Sequence, residues 1–320
     1  MSKKFSIKAI PSLIVKAYYE LLDDKGFKMA AALSYYTAFS LGPLLIIVIA
    51  IAGFFFGEDA AKGQIFSELK SLVGPDGAVM IETILKGASN KSTGIFAAIL
   101  SVVLLFLGSI GVFLELQESL NIIWGVELKP GKGLWLFIKN RLISFSMVVA
   151  AGFLLMVSLI ISSAISIINT YMGEKFPTLI PLAFILNNLS SLIVLTVLFA
   201  LIYKILPGVI ITWKYVWFGS ILTSVLFTLG KYLISLYLGS SSFSSTYGAA
   251  ASLVVIFVWL YYSGLILYFG AELTQVYRRI FSNSKLVPGG DAILVPKISD
   301  LVNELMKKEN TVIGSTKRKN

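Results

Sequence analysis

Apolar residues form six runs along this chain, each long enough to cross a bilayer as a helix and separated from the next by a polar segment. A hydrocarbon core of roughly 30 Å needs about 20 helical residues, because an α-helix rises about 1.5 Å per residue. The pattern therefore predicts an all-α, polytopic membrane protein. Its six predicted transmembrane helices are residues 38–56, 93–114, 142–168, 179–203, 215–238 and 249–271.

Two polar segments outside the spans have helical patterns of their own. From Ile10 to Leu21, apolar residues recur at helical spacing and charged residues occupy the rest of the wheel, which is typical of a helix lying on a membrane surface. The connection 57–92 is long for a loop, and Gly74-Pro75-Asp76-Gly77 interrupts it. We therefore expect two short helices that form an extracytoplasmic cap.

The spans and these flanking segments predict one transmembrane domain, residues 1–280, followed by a tail, residues 281–320. Residues 298–306 of the tail carry an amphipathic stripe, and the last ten residues have the composition of a disordered end. We expect the first spanning helix to act as the insertion signal, without a removable signal peptide.

The composition narrows the chemistry that is open to the chain. Hydrophobic residues make up 57% of it, charged residues 14%, and the mean hydropathy is +0.85. A water-soluble chain of this kind would expose too large an apolar surface. The chain has no cysteine and no histidine, which excludes disulfides, thiol nucleophiles, Cys or His zinc sites and Ser-His-Asp triads. We expect no cofactor and no metal site.

Basic residues fall mainly on one side of the predicted membrane. Of the 27 Lys and Arg residues, 21 lie in segments on one side and five on the other, and Lys231 lies inside a span. Because basic segments resist translocation, we expect both termini to be cytoplasmic. The net charge of +10 then reflects this asymmetry and an attraction to anionic lipid headgroups. We expect membrane lipids as partners and no nucleic acid.

Lys231 is the strongest candidate for a functional residue, since an ionisable group at membrane depth is energetically costly unless it meets a partner or water. In the fifth predicted span, Lys231 shares one helical face with Ser224, Thr228 and Ser235. With polar residues of the fourth span, this face could line a cavity that binds an anionic substrate. The predicted substrate-binding residues are Lys231, Ser224, Thr228, Ser235, Asn187 and Asn188. The alternative is that the small residues let helices pack closely while Lys231 reaches outward to the interface.

A second polar group follows the second predicted span, where Glu115, Gln117, Glu118 and Asn121 lie close together in the sequence. Opposite charges are expected near the same interface. The predicted gating or ion-pair residues are Glu115, Glu118, Asn121, Arg141, Lys204 and Glu272. They could form ion pairs that fix the helix ends, or a gate with a proton-coupling carboxylate. Pro43, in the first span, is a candidate hinge or only a kink.

Five further segments have recognisable motifs: Ala30–Pro43, Asn121–Trp124, Tyr203–Pro207, Thr246–Gly248 with Trp259–Tyr262, and Gly270–Leu273. Together, in this order, they closely resemble the YihY/BrkB family of bacterial inner-membrane proteins. The resemblance covers about residues 10–280. It implies six transmembrane helices in the bacterial cytoplasmic membrane, an old ribonuclease label, a link to virulence in one branch, and suggested transport of lipids or lipid-linked material. Where the family often has arginine, this chain has Lys204, which keeps the charge but loses bidentate pairing.

The residues argue against the ribonuclease label, and we expect no enzymatic activity. Phosphodiester hydrolysis generally needs a histidine pair or metal-binding carboxylates. Histidine is absent, and neither Asp23 with Asp24 nor Glu115 with Glu118 adjoins an aromatic and basic groove that would bind RNA.

Two hypotheses remain. The first is a transporter or flippase for an anionic lipid or lipid-linked envelope component, driven by a gradient because the chain has no nucleotide-binding loop. The second is a non-transporting scaffold or regulator of envelope synthesis. The sequence leaves the oligomeric state open, and a homo-oligomer is compatible with it.

Overall fold

The structure is a computed structural model of the 320-residue chain. It describes residues 10–57, 111–129, 180–240, 251–282, 286–289 and 292–295, with a few isolated positions between them. The helices of these ranges are α1 (Ile10–Asp23), α2 (Gly26–Phe56), α3 (residues 111–124), α4 (Ile180–Ile205), α5 (Trp213–Ser240) and α6 (Ala251–Phe281). The strands are β1 (Val126–Leu128), β2 (Val209–Ile210), β3 (Val287–Pro288) and β4 (Ala292–Leu294).

Three helices of the described ranges, α4, α5 and α6, are long and apolar enough to cross a membrane. They coincide closely with the predicted spans 179–203, 215–238 and 249–271, although α6 continues to Phe281. Continuous apolar runs of this length form helices in lipid because only a helix satisfies every backbone polar group within the segment. The prediction of a mostly helical membrane protein is confirmed for these three spans.

The other predicted spans are described less completely. Helix α2 contains the predicted span 38–56 but begins twelve residues earlier, at Gly26. Pro43 stands within this helix, and its role as a hinge stays a prediction. Most of the spans 93–114 and 142–168, most of the cap 57–92 and the whole amphipathic tail segment 298–306 lie outside the described residues. Six spans and the orientation of the termini therefore also stay predictions.

A sharp turn separates α1 from α2. Lys25 has a left-handed backbone with φ 58°, and Gly26 packs directly on Leu21, since a Cβ at Gly26 would lie 2.2 Å from Leu21 Cδ1. The turn folds α1 back onto α6, where Leu13 and Ala17 are buried in one cluster with apolar residues of α6. The predicted amphipathic helix is therefore present, but its buried stripe is Leu13, Ala17 and Leu21, whereas Ile14 is exposed.

Helix α6 is central among the described helices: α1, α2 and α5 all pack on it, and α4 packs on α5. At one end of this group, two small antiparallel ribbons join segments that are distant in sequence. Strand β1, after α3, pairs with β4, and β2, between α4 and α5, pairs with β3. The chain that follows α6 therefore returns to fasten two interhelical loops.

Candidate functional site

Helices α5 and α6 touch through glycines that leave room for a side chain of the facing helix. A Cβ at Gly219 would lie 1.7 Å from Thr274 Oγ1, and a Cβ at Gly230 would lie 1.6 Å from the Tyr262 hydroxyl. These two glycines are roughly 16 Å apart along α5. Small residues permit such close approach between helices in a membrane, and this contact is tight over much of its length.

Hydroxyl groups join α4 to the other two helices. Thr196 Oγ1 and Ser224 Oγ lie 2.7 Å apart, both on buried residues. The Tyr203 hydroxyl donates to the Leu267 carbonyl oxygen at 2.7 Å and lies 3.1 Å from Thr223 Oγ1. The sequence reasoning did not select Thr196 or Tyr203, although their spacing of seven residues places them on one face of a helix.

The predicted polar stripe of α5 therefore divides into two parts. Ser224 and Ser220, which lies one turn before it on the same helical face, are fully buried between helices, which agrees with the packing interpretation of this part of the stripe. Thr228 is half-buried and donates to the Ser224 carbonyl oxygen at 2.8 Å. Lys231, one turn farther along, is half-buried, so the partly exposed portion of the stripe begins near Thr228.

Lys231 lies among polar and aromatic groups near one end of α5. Its Nζ is 6.0 Å from the centroid of the Tyr232 ring, and the Tyr232 hydroxyl donates to Asn188 Oδ1 of α4 at 3.3 Å. Lys231 is nine residues, or roughly 13 Å, from the last residue of α5. Lys231 and Asn188 therefore lie at a similar level of the α4–α5 pair. The side chains of Asn187 and Ser235 lie outside what the structure describes.

Carboxyl groups lie on α3 and α6. Ser119 Oγ donates to Glu115 Oε1 at 3.3 Å. Burial raises the pKa of Glu115, the Ser119 hydrogen bond opposes this rise, and the nearby Glu118 carboxylate adds to it. Glu118 is exposed, whereas Glu272 of α6 is fully buried. Glu115 follows the predicted span 93–114 directly, so this carboxyl lies at the end of the span and not within it.

Two polar side chains of α3 hold the loop between α4 and α5. The Gly208 N–H donates to Asn121 Oδ1 at 2.8 Å, and Gln117 Nε2 donates to the Leu206 carbonyl oxygen at 3.3 Å. These bonds satisfy backbone groups of the loop that follows α4. In this conformation Asn121 therefore positions a loop, and its role in gating stays a prediction.

Lys204 fastens the same loop. Its ammonium group donates to the Ile211 carbonyl oxygen and lies 5.7 Å from the centroid of the Trp213 ring. Arg141, a predicted partner for the carboxylates, lies outside the described residues. A pair that the sequence reasoning missed, Arg279 with Glu20, joins α6 to α1.

The described residues contain no group of three or more acidic, histidine or cysteine side chains that could hold a metal ion. Apart from the Arg279–Glu20 pair, the polar groups described above are hydroxyls, amides, carboxyls and the ammonium groups of Lys204 and Lys231. Such groups can bind a headgroup or join helices.

The model of the virulence factor BrkB family matches residues 17–288 of the chain. A UPF0761 membrane protein of Mannheimia succiniciproducens is 30% identical over 284 residues, which cover 86% of this chain and 91% of that protein. A UPF0761 membrane protein of Stenotrophomonas maltophilia is 26% identical over 263 residues, which cover 81% of this chain and 59% of that longer relative. The chain thus spans less than two thirds of this second relative. No solved structure matches the chain.

The family model covers α2 to α6 completely, and the three membrane-length helices lie within it. The curated relatives are named as membrane proteins. The resemblance inferred from the sequence motifs is confirmed, and the chain belongs to the BrkB family of integral membrane proteins.

Proposed function

We propose that this membrane protein moves an anionic lipid or a lipid-linked envelope component across the bilayer, and that Lys231 holds the anionic headgroup. The observation that carries the proposal is a half-buried ammonium group within a helix of membrane-spanning length. A cation at that depth is costly unless an anion or water compensates it. A phosphate headgroup would supply the anion, while its acyl chains remain in lipid.

The geometry around Lys231 limits where the headgroup can enter in this conformation. Ser220 and Ser224 are fully buried against neighbouring helices, so only the part of the stripe from Thr228 onward can meet a ligand. In this proposal the headgroup follows the polar stripe of α5, and the part of the stripe at Ser220 and Ser224 is closed to it in this conformation. Passage then requires α4 and α5 to separate, as in alternating access between two helix groups.

The contact between α4 and α5 is suited to such a separation. Its polar contacts include the pairs Thr196–Ser224, Tyr203–Thr223 and Tyr232–Asn188, and a hydrogen bond between neutral groups contributes only about 0.5–1.5 kcal/mol. The α5–α6 contact is closer, because side chains of α6 fill the positions that Gly219 and Gly230 leave free. We therefore place the moving boundary between α4 and α5, with α5 and α6 as one unit.

The carboxyl groups of Glu115 and Glu118, on α3, would couple the movement to a proton gradient. The raised pKa of Glu115 means that this carboxyl holds a proton more readily than an exposed carboxyl. Protonation would remove one of the two negative charges that Glu115 and Glu118 place on α3.

Reconstituted vesicles test the proposal. A fluorescent analogue of phosphatidylglycerol is placed in both leaflets, and its movement is measured with a membrane-impermeant quencher. Because a hydrogen bond to a charged group contributes about 1.5–3 kcal/mol, Lys231→Ala should slow translocation by about tenfold or more. Lys231→Arg should retain most of the rate, and Lys16→Ala, which removes an exposed lysine of α1, is the matched control. Equal rates in protein-containing and protein-free vesicles would contradict the proposal.

A scaffold that recruits envelope-synthesis partners is the second candidate, and the burial of Ser220 and Ser224 favours it. If these hydroxyls serve only to pack helices, no route through the stripe is needed. A scaffold predicts that Lys231→Ala leaves the cellular envelope phenotype intact and that the purified protein translocates no lipid.

A further inference from the structure

The β2–β3 ribbon exposes a pair of apolar side chains. Ile210 and Val287 are directly opposite in the antiparallel register, and they are 61% and 52% exposed. Side chains of such a pair lie on the same face of a ribbon. Val209, the neighbour of Ile210, is buried, so one face of the ribbon packs on the protein while an apolar pair remains on the other.

The ribbon lies at the level where the apolar part of α5 begins. Strand β2 ends at Ile210, and the membrane-length segment of α5 begins at Trp213. Trp213 and Trp217 are both exposed, and their ring centroids lie 6.1 Å apart. Exposed indoles at the end of a spanning helix are typical of the boundary between acyl chains and headgroups. The ribbon is therefore close to that boundary.

Two lysines place positive charge beside this apolar surface. Lys204 donates one hydrogen bond to the Ile211 carbonyl oxygen and lies over the Trp213 ring. An ammonium group has three N–H donors, so two remain for a phosphate oxygen. Lys214, next to Trp213, is exposed. Near an anionic bilayer surface, each such lysine contributes about 1 kcal/mol of attraction.

We propose that Ile210, Val287, Trp213, Lys204 and Lys214 form a docking surface for anionic phospholipid headgroups of the leaflet at this end of the bundle. The apolar pair enters the headgroup layer and the two ammonium groups bind phosphate. Because Val287 follows α6, this surface holds the chain after the last described helix against the membrane. The proposal does not depend on transport or on Lys231.

A single labelled cysteine tests this proposal cleanly, because the chain has no cysteine of its own. Val287→Cys is labelled with an environment-sensitive fluorophore and placed in nanodiscs that hold one copy each. One set contains phosphatidylcholine alone, and the other contains equal parts of phosphatidylcholine and phosphatidylglycerol. Glu127→Cys, at an exposed position of β1, is the matched control.

We expect a lipid-borne quencher to quench the label at position 287 at least about twofold more than the control label, with a larger difference in phosphatidylglycerol. Lys214→Glu should reduce the dependence on phosphatidylglycerol, whereas Lys129→Glu, at an exposed position that follows β1, should not. Equal access of aqueous iodide to both labels in both lipid mixtures would overturn the proposal. Shielding that appears only when two copies share a disc would also overturn it, in favour of a contact between copies.

Discussion

Thr196 Oγ1 and Ser224 Oγ lie 2.7 Å apart, and this hydrogen bond joins α4 to α5 within the membrane-length part of both helices. Thr196 also bonds the Leu192 carbonyl oxygen of its own helix at 2.8 Å. Both hydroxyls are thus satisfied inside the protein, where an unsatisfied polar group would cost about 1–3 kcal/mol. This bond therefore allows the Ser224 hydroxyl to be buried without an unsatisfied polar group. In the proposed transport, α4 and α5 would have to separate at this contact.

Gly219→Ala should destabilise the protein by about 1–3 kcal/mol, because the new methyl group would overlap Thr274 Oγ1. The midpoint of thermal unfolding, measured in detergent, reports the change. Gly63→Ala is the matched control, since nothing lies within 4 Å of a Cβ at that position. Equal unfolding midpoints for the two variants would show that α5 and α6 are not in close contact at Gly219.

Asn121→Ala should destabilise the loop between α4 and α5 by about 1–3 kcal/mol, because the Gly208 N–H loses its acceptor. Asn121→Asp keeps an oxygen at the same position and should recover most of this loss. Hydrogen exchange at the Gly208 amide measures the effect locally. Exchange that stays slow in Asn121→Ala would mean that the bond does not protect this amide.

Glu115→Gln should raise the unfolding midpoint at neutral pH. The pKa of Glu115 is raised above its ordinary value of 4.5 because its ionised form is disfavoured in the folded state. The free energy of unfolding of the wild type therefore falls as the pH rises from 4.5 through the raised pKa. The advantage of Glu115→Gln should therefore shrink as the pH is lowered toward and below 4.5.

Unfolding midpoints of Glu115→Gln and the wild type, compared between acidic and neutral pH, check this sign. Ser119→Ala removes the hydrogen bond that opposes the pKa rise and should extend the loss of stability to higher pH. An advantage that is constant over the whole pH range would mean that Glu115 has no raised pKa.

The sequence predicted α4, α5 and α6 well, because a long apolar run in lipid has one stable backbone conformation. It could not decide the environment of Ser224, since helical spacing places a hydroxyl on a face but does not show whether that face meets water or another helix. The Thr196–Ser224 pair resolves this point, because it shows that the face meets α4.

The two ribbons could not be predicted from the sequence. Strands β2 and β3 have two residues each, too few to show the alternation that marks a strand. Their pairing joins Gly208 to Gly289, which no local pattern connects. Likewise, the local pattern of α1 predicts a helix on the membrane surface, because its packing partner, α6, is distant in sequence.

A disulfide across the α4–α5 contact tests the transport account most directly. The chain has no cysteine, and the 2.7 Å separation of the two hydroxyl oxygens suits the short reach of a disulfide, so Thr196→Cys with Ser224→Cys should cross-link on oxidation. We predict that the oxidised protein in vesicles stops translocating the phosphatidylglycerol analogue and that a reductant restores the rate, while either single substitution shows no such redox dependence. A fully cross-linked protein that translocates lipid at the rate of the reduced form would contradict the account.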